Sequence, residues 1–382
     1  MNQKSKRLLS LDALRGFDML FIMGFSSLVM DVCGLFPGGS ECWLSQTMGH
    51  AKWHGLTHHD TIFPLFLFIA GVSFPFSYAK QVASGMSKKS IYLKILKRAL
   101  ILIALGIVYN GFFKLDFISI DGGLSFNFDK LRFASVLGRI GLAWSLAAVL
   151  YINFKPMTRA IIAGATLIGY WLLICYVPAP DVPGADPLTM EGNLIGYIDR
   201  LLMPGRLIYN NGGFDPEGLL STVPAIVSAM LGMFTGEFVK ISDEKISGSR
   251  KSLYMAGAAV AMLGLGLLWS LVFPLNKMLW SSSFVLVVGS YCVGMFALFY
   301  YIIDVRGWQK WTLFFRVIGL NSITIYMAQK IFAFSSVNRY FFQGIVNLVP
   351  EAWGDVIFSI GYVGFCWLFL YFLYKKNTFL KI

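Results

Sequence analysis

Charged residues are scarce in this chain. Asp, Glu, Lys and Arg make up 14% of its 382 residues, whereas charged residues approach a quarter of a soluble domain. Hydrophobic residues reach 57%, which excludes a soluble globular fold. Apolar runs long enough to cross a bilayer lie near 9–30, 57–79, 98–115, 132–152, 159–177, 219–239, 252–273, 281–303, 312–334 and 355–374. The sequence predicts an all-α, polytopic membrane helix bundle of about ten transmembrane helices in a single domain, 1–382.

The charges that are present are divided between the two sides of the membrane. Most of the 32 Lys and Arg residues fall in the amino-terminal tail and in alternate connections, so by the positive-inside rule these segments and both termini are cytoplasmic. The opposite connections, about 31–56 and 178–218 among them, are richer in acids and face outward. The net charge of +12 is then a signal of topology, and it gives little support to nucleic-acid binding. The first apolar run is expected to remain as an anchor.

Cysteine motifs are also absent. None of the five cysteines forms a C-x-x-C pair or another metal-type spacing. Cys33 and Cys42 share an outer connection and could form a disulfide in an oxidising compartment.

Histidine is nearly absent as well, and all four histidines lie between residues 50 and 59, where a polar loop meets the second apolar run. Three interpretations are open. The imidazoles of His54, His58 and His59 could bind a metal with Asp60, or they could only form hydrogen bonds at the membrane interface, with Trp53 in an aromatic belt. In the third, one histidine is a general base that Asp60 orients. The residues alone do not show which of the four histidines would be the base.

Charged and polar side chains inside the apolar runs indicate an internal polar cavity. Asp12, Arg15 and Asp18 share one helix face and could pair. Arg132 and Arg139 also share a face; they could bind phosphate through their planar guanidinium groups or pair with the first-helix aspartates. Further polar residues are Arg316, Asn321 and Gln329 on the ninth run, and Asn276 and Lys277 just before the eighth. In addition, Gly232-x-x-x-Gly236 predicts a close contact between helices.

Several motifs, in order along nearly the whole chain, resemble the heparan-α-glucosaminide N-acetyltransferase-like family of membrane acetyltransferases. They are Ser10-Leu-Asp-Ala-Leu-Arg-Gly-Phe-Asp18, His50-Ala-Lys-Trp-His-Gly-Leu-Thr-His-His-Asp60, and the segments 130–141, 215–222, 274–281 and 319–323. One departure is that no asparagine stands between the first helix and the histidine motif, in segments 24–27 and 36–40, where the family usually has one. A serine hydroxyl or a backbone amide would then serve as the oxyanion donor, or the acceptor differs.

The resemblance implies an enzyme that takes acetyl-CoA from the cytoplasmic side and passes the acetyl group to a glucosamine amine on the far side. It implies that His50 is catalytic, with Asp60 orienting it or holding the amine, and that no metal is needed. Arg15, Arg132 and Arg139 are candidate phosphate or pantetheine contacts. The candidate substrate contacts on the sugar side are Trp53, Glu217, Asn276 and Asn321.

We therefore expect a multi-pass acyltransferase of the bacterial cytoplasmic membrane, with the His50 loop on the outer side. His50 would act as a general base, directly or through an acetyl-histidine. Its partners would be acetyl-CoA, an amino-sugar or glycan acceptor offering an amine or a hydroxyl, the lipid bilayer and, in a homodimer, a second copy of the chain. The alternatives are an amino-sugar transporter and a membrane scaffold without catalytic activity.

Overall fold

The computed structural model describes residues 8–111, 131–209 and 212–380. The predicted cytoplasmic tail before residue 8, the end of the predicted 98–115 run and residue 130 lie outside these ranges. Within them the chain is helical, without a strand, and its only β-type pairings are three isolated bridges: Arg132–Gly205, Pro178–Asn193 and Tyr209–Phe214.

The described helices run through the chain at intervals that match the predicted apolar runs. They are α1 (Leu9–Leu20), α2 (Ser26–Gly34), α3 (Trp43–Thr47), α4 (Ile62–Ala83), α5 (Lys88–Asn110), α6 (Val136–Asn153), α7 (Pro156–Tyr176), α8 (Leu194–Leu202), α9 (Thr222–Val239), α10 (Gly248–Ser270), α11 (Ser282–Phe299), α12 (Leu313–Leu320), α13 (Ser322–Ile331), α14 (Phe334–Val346) and α15 (Glu351–Lys375). Short 3₁₀ or π segments lie at Phe21–Phe25, Gly39–Glu41, His58–Thr61, Tyr300–Val305 and Lys310–Thr312.

In the described ranges, eight helices are long and apolar enough to cross a membrane, and a pair bent by 57°, Lys310–Leu320 with Ser322–Ile331, would make a ninth. The helix α5 is not among them, because basic residues crowd its first half, but it covers residues 98–110 of the predicted 98–115 run. The prediction of an all-α polytopic membrane protein is confirmed. Each of the ten predicted runs corresponds to one of these helices or to the bent pair.

Glycines set the closest helix contacts. A Cβ on Gly232 of α9 would lie 2.1 Å from the carbonyl oxygen of Phe68 in α4, and a Cβ on Gly71 would lie 2.2 Å from that of Ala229. The close contact predicted from Gly232-x-x-x-Gly236 is thus confirmed. Gly319 of α12 plays the same part against α1, since its Cβ would lie 2.0 Å from the Asp12 carbonyl oxygen. These contacts bring α4 close to α9 and α1 close to α12.

The first span is broken once. At Gly24 the backbone takes φ 118° inside the π segment Phe21–Phe25, a conformation that favours glycine. In α1, Arg15 pairs with Asp12 at 3.7 Å as predicted, while Asp18 is buried. Cys33 and Cys42 carry free thiols, so this structure does not contain the disulfide that the sequence left open.

Four predicted outer connections are bound to one another by hydrogen bonds. The Gly55 N–H donates to the Leu275 carbonyl at 2.8 Å, and the Trp53 indole donates to the Leu188 carbonyl at 2.8 Å. The backbone of Arg206 donates to Leu131 at 2.9 Å. The segments 50–60, 131–135, 178–209, 212–218 and 271–281 therefore form one covering layer over the same end of the bundle.

Candidate active site

Asp60 is the most firmly held side chain of this layer. It lies in the 3₁₀ turn His58–Thr61 that leads into α4, and it forms a capping box with Thr57. Its Oδ2 accepts hydrogen bonds from Thr57 Oγ1 at 2.9 Å, Thr57 N at 3.3 Å and Ala51 N at 3.2 Å. The residue is only 1% exposed. Three donors compensate the burial of this carboxylate, and they fix its second oxygen in one direction.

That second oxygen holds His50. The Nδ1 atom of His50 lies 2.8 Å from Asp60 Oδ1. Because an ionised carboxylate can only accept hydrogen bonds, Nδ1 carries the proton, and Nε2 keeps the lone pair that a general base needs. The His50 side chain is 48% exposed, so Nε2 remains accessible. The structure therefore brings together the two residues that the resemblance singled out as base and orienting acid.

Lys277 completes the group. It comes from the connection between α10 and α11, and its Nζ lies 3.4 Å from Asp60 Oδ1 and 3.1 Å from His50 Nδ1. From the sequence, Lys277 is only a polar residue of a motif, without a predicted role. A signal was present, because Lys277 is the one charged residue in the sequence between the predicted apolar runs 252–273 and 281–303.

A cavity of about 570 Å³ reaches this group from inside the bundle. His50, Glu217 and Lys277 line one part of it, and Arg15 and Arg98 line another. Its wall is mostly apolar and includes Met19, Ile22, Phe63, Phe66, Leu137, Ile140 and Ile323. Ile62 and Ser73 both line it, and at about 1.5 Å per residue they are about 16 Å apart along α4. The cavity is therefore a long, mostly apolar passage. Arg15 and Arg98 provide cations at its inner end, and His50 lies at its other end in the covering layer.

A second cavity of about 200 Å³ lies in the covering layer. It is lined by Trp53, Asp60, Arg132, Tyr209, Met278 and neighbouring residues of the same layer. His50, Val136, Glu217 and Lys277 line both cavities. The two cavities therefore meet at the group built around His50.

Arg132 holds Glu217 at this meeting point. The Arg132 guanidinium donates to both oxygens of Asp215, at 2.8 and 2.7 Å, and to Glu217 Oε2. Burial alone would lower the pKa of Arg132, but the hydrogen bonds to Asp215 and the charge of Glu217 raise it above its usual value. The sequence predicts Arg132 as a phosphate contact; in the structure its guanidinium is bound by these two carboxylates instead.

Arg139 is likewise bound to the segment that follows Asp215. Its Nη2 donates to the Pro216 carbonyl at 2.5 Å and to the Ser221 hydroxyl, and the residue is 2% exposed. Arg139 is not among the described residues that line either cavity. The predicted phosphate contact is therefore replaced by a structural one, because acceptors nearly eighty residues further along the chain, invisible as partners in the sequence, occupy the guanidinium.

Of the predicted sugar-side residues, Trp53 and Glu217 line the small cavity, whereas Asn276 is fully buried beside it. The Asn276 side chain accepts from Leu279 N at 2.8 Å, and its backbone N–H donates to Ser281 Oγ at 3.1 Å. These bonds shape the turn that presents Lys277. We therefore interpret Asn276 as a residue that positions Lys277.

Asn321 lies elsewhere. Its side chain donates to the Thr378 carbonyl at 3.1 Å and accepts from Leu380 N at 3.4 Å. Both partners belong to the segment after α15, on the predicted cytoplasmic side. The prediction that Asn321 lines the sugar side is replaced by a role in anchoring the carboxyl-terminal segment, because α12 and α13 place it at the depth of Asp12 and Gly16.

The other three histidines do not form a shared metal site. His59 accompanies His50, with its ring edge-on at 4.5 Å and its Nδ1 3.2 Å from Ser26 Oγ. His58 packs on Phe21, and His54 lies 3.4 Å from the Asn276 amide. Burial lowers the pKa of His54, against the opposing charge of Asp186. Among the described residues, no three His, Cys, Asp or Glu side chains are arranged to hold a metal ion.

Arg98 is a second residue whose place in the site was not predicted from the sequence. It counted only toward the basic charge of the 80–98 connection, but its side chain lines the large cavity together with Arg15. The guanidinium lies 4.3 Å above the Trp144 ring. Its position inside an apolar run, where charges are costly, was the available signal.

Fold and site together define a polytopic helical membrane protein with a histidine, an aspartate and a lysine at the junction of two internal cavities. No family model matches the chain. It is 30% identical over 396 aligned residues to heparan-alpha-glucosaminide N-acetyltransferase of Mus musculus, covering 90% of the chain and 57% of that protein. It is 29% identical over 425 aligned residues to the Homo sapiens protein of the same name, covering 98% of the chain and 60% of that protein.

The chain thus spans less than two thirds of the length of these relatives. The resemblance to the heparan-α-glucosaminide N-acetyltransferase family, seen in the motifs, is confirmed at the level of the family.

Proposed function

We propose that this protein is a transmembrane acetyltransferase, in which acetyl-CoA supplies the acetyl group from the cytoplasmic side and an amine or hydroxyl of an amino sugar or glycan accepts it on the outer side. The observation that carries the proposal is the position of the His50–Asp60 pair where a long internal cavity meets a smaller outer one. The named activity of both similar proteins agrees with it.

In the proposed reaction His50 is the general base. Nε2 removes a proton from the acceptor as its nitrogen or oxygen attacks the thioester carbon, and the proton then passes to the departing thiolate. Asp60 keeps Nδ1 protonated and stabilises the imidazolium that forms. A positioned base of this kind contributes about 10²- to 10⁴-fold to rate.

Acetyl-CoA would occupy the large cavity. Its phosphates carry several negative charges and cannot enter lipid, so they need cations at the inner end. Arg15 and Arg98 line this end, and guanidinium groups bind phosphate through paired hydrogen bonds. The apolar wall beyond them suits the pantetheine arm, whose thioester would lie beside His50.

The acceptor would occupy the small cavity. Trp53 offers an aromatic face of the kind that packs against apolar faces of ligands, and Glu217 is a carboxylate that can hold an amine. Arg132 orients Glu217 through the bond described above. A glucosamine-type acceptor combines both features, and we propose Trp53 and Glu217 as its contacts.

The direct test is acetyl transfer by purified protein in detergent, with labelled acetyl-CoA and glucosamine. We expect acetylated glucosamine, and we expect His50→Ala to lower kcat by about 100-fold or more while acetyl-CoA still raises the thermal unfolding temperature. The matched control is His54→Ala. It removes an imidazole of the same loop that is not among the described residues lining either cavity, and it should retain activity.

Three results would contradict the proposal. Full turnover in His50→Ala would show that His50 is not the general base. Uptake of glucosamine into proteoliposomes without any acetyl-CoA, together with no acetylated product, would favour the amino-sugar transporter, and no thermal shift with CoA would favour the scaffold.

A further inference from the structure

Among the described residues, four line both cavities, namely His50, Val136, Glu217 and Lys277, and Lys277 is the one cation of the four. Its side chain is 17% exposed, which places the ammonium group at the junction with little access to bulk water. A charge held in such a place is costly. The role of Lys277 therefore depends on which acceptors its N–H groups meet.

The surrounding backbone fixes Lys277 in place. The turn that carries it is closed by the Asn276 and Ser281 bonds described above, and Trp280, within the same turn, has a left-handed φ of 52°. The Gly55–Leu275 hydrogen bond ties the turn to the His50 loop. The turn that carries Lys277 is thus bonded to the loop that carries His50. The backbone of this turn has little freedom to move.

The hydrogen-bond count leaves donors of Lys277 unused. An ammonium group has three N–H donors. Asp60 Oδ1 at 3.4 Å can take one. The Nδ1 atom of His50 cannot take another, because it is itself protonated and donates to Asp60. At least one N–H of Lys277 is therefore available to a molecule in the cavities, beside the histidine that would deprotonate the acceptor.

We infer that Lys277 is a further catalytic residue, whose ammonium group donates a hydrogen bond to the carbonyl oxygen of the acetyl thioester and stabilises the oxyanion that forms there. The inference rests on the proposed function. As the acceptor nitrogen or oxygen bonds to the carbonyl carbon, the C=O pair moves to oxygen, where Lys277 meets it. The C–S bond then breaks as that pair returns, and the proton held by His50 passes to the thiolate.

Glu217 and His59, also near the junction, do not suit this task. The Glu217 carboxylate is negative and would repel an oxyanion. The His59 ring packs edge-on against His50, and its Nδ1 is engaged with Ser26. A rigid cation at the point where negative charge develops is the arrangement that stabilises an acyl-transfer transition state most strongly.

The charge of Lys277 also makes the rate depend on pH in one direction. Burial lowers the pKa of Lys277 from its ordinary value, and Arg139 adds to this, whereas the charges of Asp60 and Glu217 oppose it; His50 and His59 are the other titratable groups facing it. The donating form is the ammonium form. Stabilisation of the oxyanion is therefore present below the pKa of Lys277 and is lost as pH rises through it.

The first experiment compares kcat for acetyl transfer in Lys277→Met and Lys277→Arg with the unmodified protein. Loss of one oxyanion donor typically costs about 10²- to 10³-fold in kcat, so Lys277→Met should fall by about 100-fold with a much smaller change in KM for acetyl-CoA. Lys277→Arg should recover part of kcat, and its alkaline decline should move to higher pH because a guanidinium stays charged. Lys52→Met, an exposed lysine of the same layer, is the matched control and should leave kcat unchanged.

The second experiment needs no turnover. Acetyl-CoA labelled with ¹³C at the thioester carbonyl is bound to the protein without acceptor, and its infrared C=O band is recorded. A hydrogen bond from Lys277 lowers the band frequency, so the band should lie higher in Lys277→Met than in the unmodified protein and in Lys52→Met.

The results separate the two proposals. Transfer by the unmodified protein with kcat and the C=O band unaltered in Lys277→Met would overturn the role of Lys277 and leave the proposed function intact. A band shift that depends on Lys277, without transfer by the unmodified protein, would overturn the proposed function and keep the contact.

Discussion

At the scale of the residue, the reactivity of His50 depends on which of its two nitrogens is free. Asp60 decides this, because its Oδ2 is held by Thr57 and Ala51 and its Oδ1 is left to accept from Nδ1. A change at Thr57 would therefore reach the histidine through Asp60 without touching it. The Thr57-x-x-Asp60 spacing is visible in the sequence as a capping box, so this part of the site was within reach of prediction.

Other residue roles were out of reach because their partners are distant in the chain. Arg132 finds Asp215 and Glu217 more than eighty residues away. A single sequence shows a guanidinium and several carboxylates, but it does not show which of them meet. The same reason explains why no role was predicted for Lys277, since its neighbours His50 and Asp60 lie far from it in the sequence.

Arg98 gives a prediction at this scale. Because its guanidinium lines the inner part of the large cavity with Arg15, Arg98→Gln should raise KM for acetyl-CoA about tenfold, which corresponds to about 1.4 kcal/mol, and should leave kcat within about twofold. The measurement is initial rates at varied acetyl-CoA. Lys97→Gln removes an exposed neighbouring charge and serves as the control; an equal rise in KM there, or none in Arg98→Gln, would contradict the assignment.

At the scale of the element, the site depends on where α4 begins. Asp60 stands one turn before α4, and α4 packs on α9 along glycines. The sequence predicted this contact from Gly232-x-x-x-Gly236, because small residues let helix backbones approach. It did not identify α4 as the partner, since Gly71 and the Phe68 carbonyl carry no such motif.

Gly232→Ala tests this contact. An added Cβ would meet the Phe68 carbonyl oxygen at 2.1 Å, so the helices must separate. Overpacking of this kind costs about 1–3 kcal/mol. We expect a lower thermal unfolding temperature in detergent and a lower kcat, because Asp60 moves with α4.

The control is Gly257→Ala in α10, where an added Cβ meets nothing within 4 Å. It should leave both quantities nearly unchanged. Equal thermal unfolding temperatures of Gly232→Ala and Gly257→Ala would show that stability does not depend on the close approach of α4 and α9.

At the scale of the whole molecule, the helices were predictable and the cavities were not. Every predicted apolar run has its helix or bent pair, because the bilayer requires about 20 apolar residues per crossing whatever the tertiary structure. The cavities arise from side chains of many helices, with α1, α4, α5, α6 and the α12–α13 pair all lining the larger one. Polar residues inside apolar runs indicated that a cavity exists, but they did not give its course.

We propose that acetyl-CoA and the acceptor reach His50 from opposite sides of the membrane. Proteoliposomes with labelled acetyl-CoA sealed inside and a membrane-impermeant glucosamine oligosaccharide only outside test it directly, with both substrates in one compartment as comparison and His50→Ala as blank. We expect acetylated oligosaccharide outside when the substrates are separated. Product formed only when both substrates share a compartment would contradict transfer across the membrane.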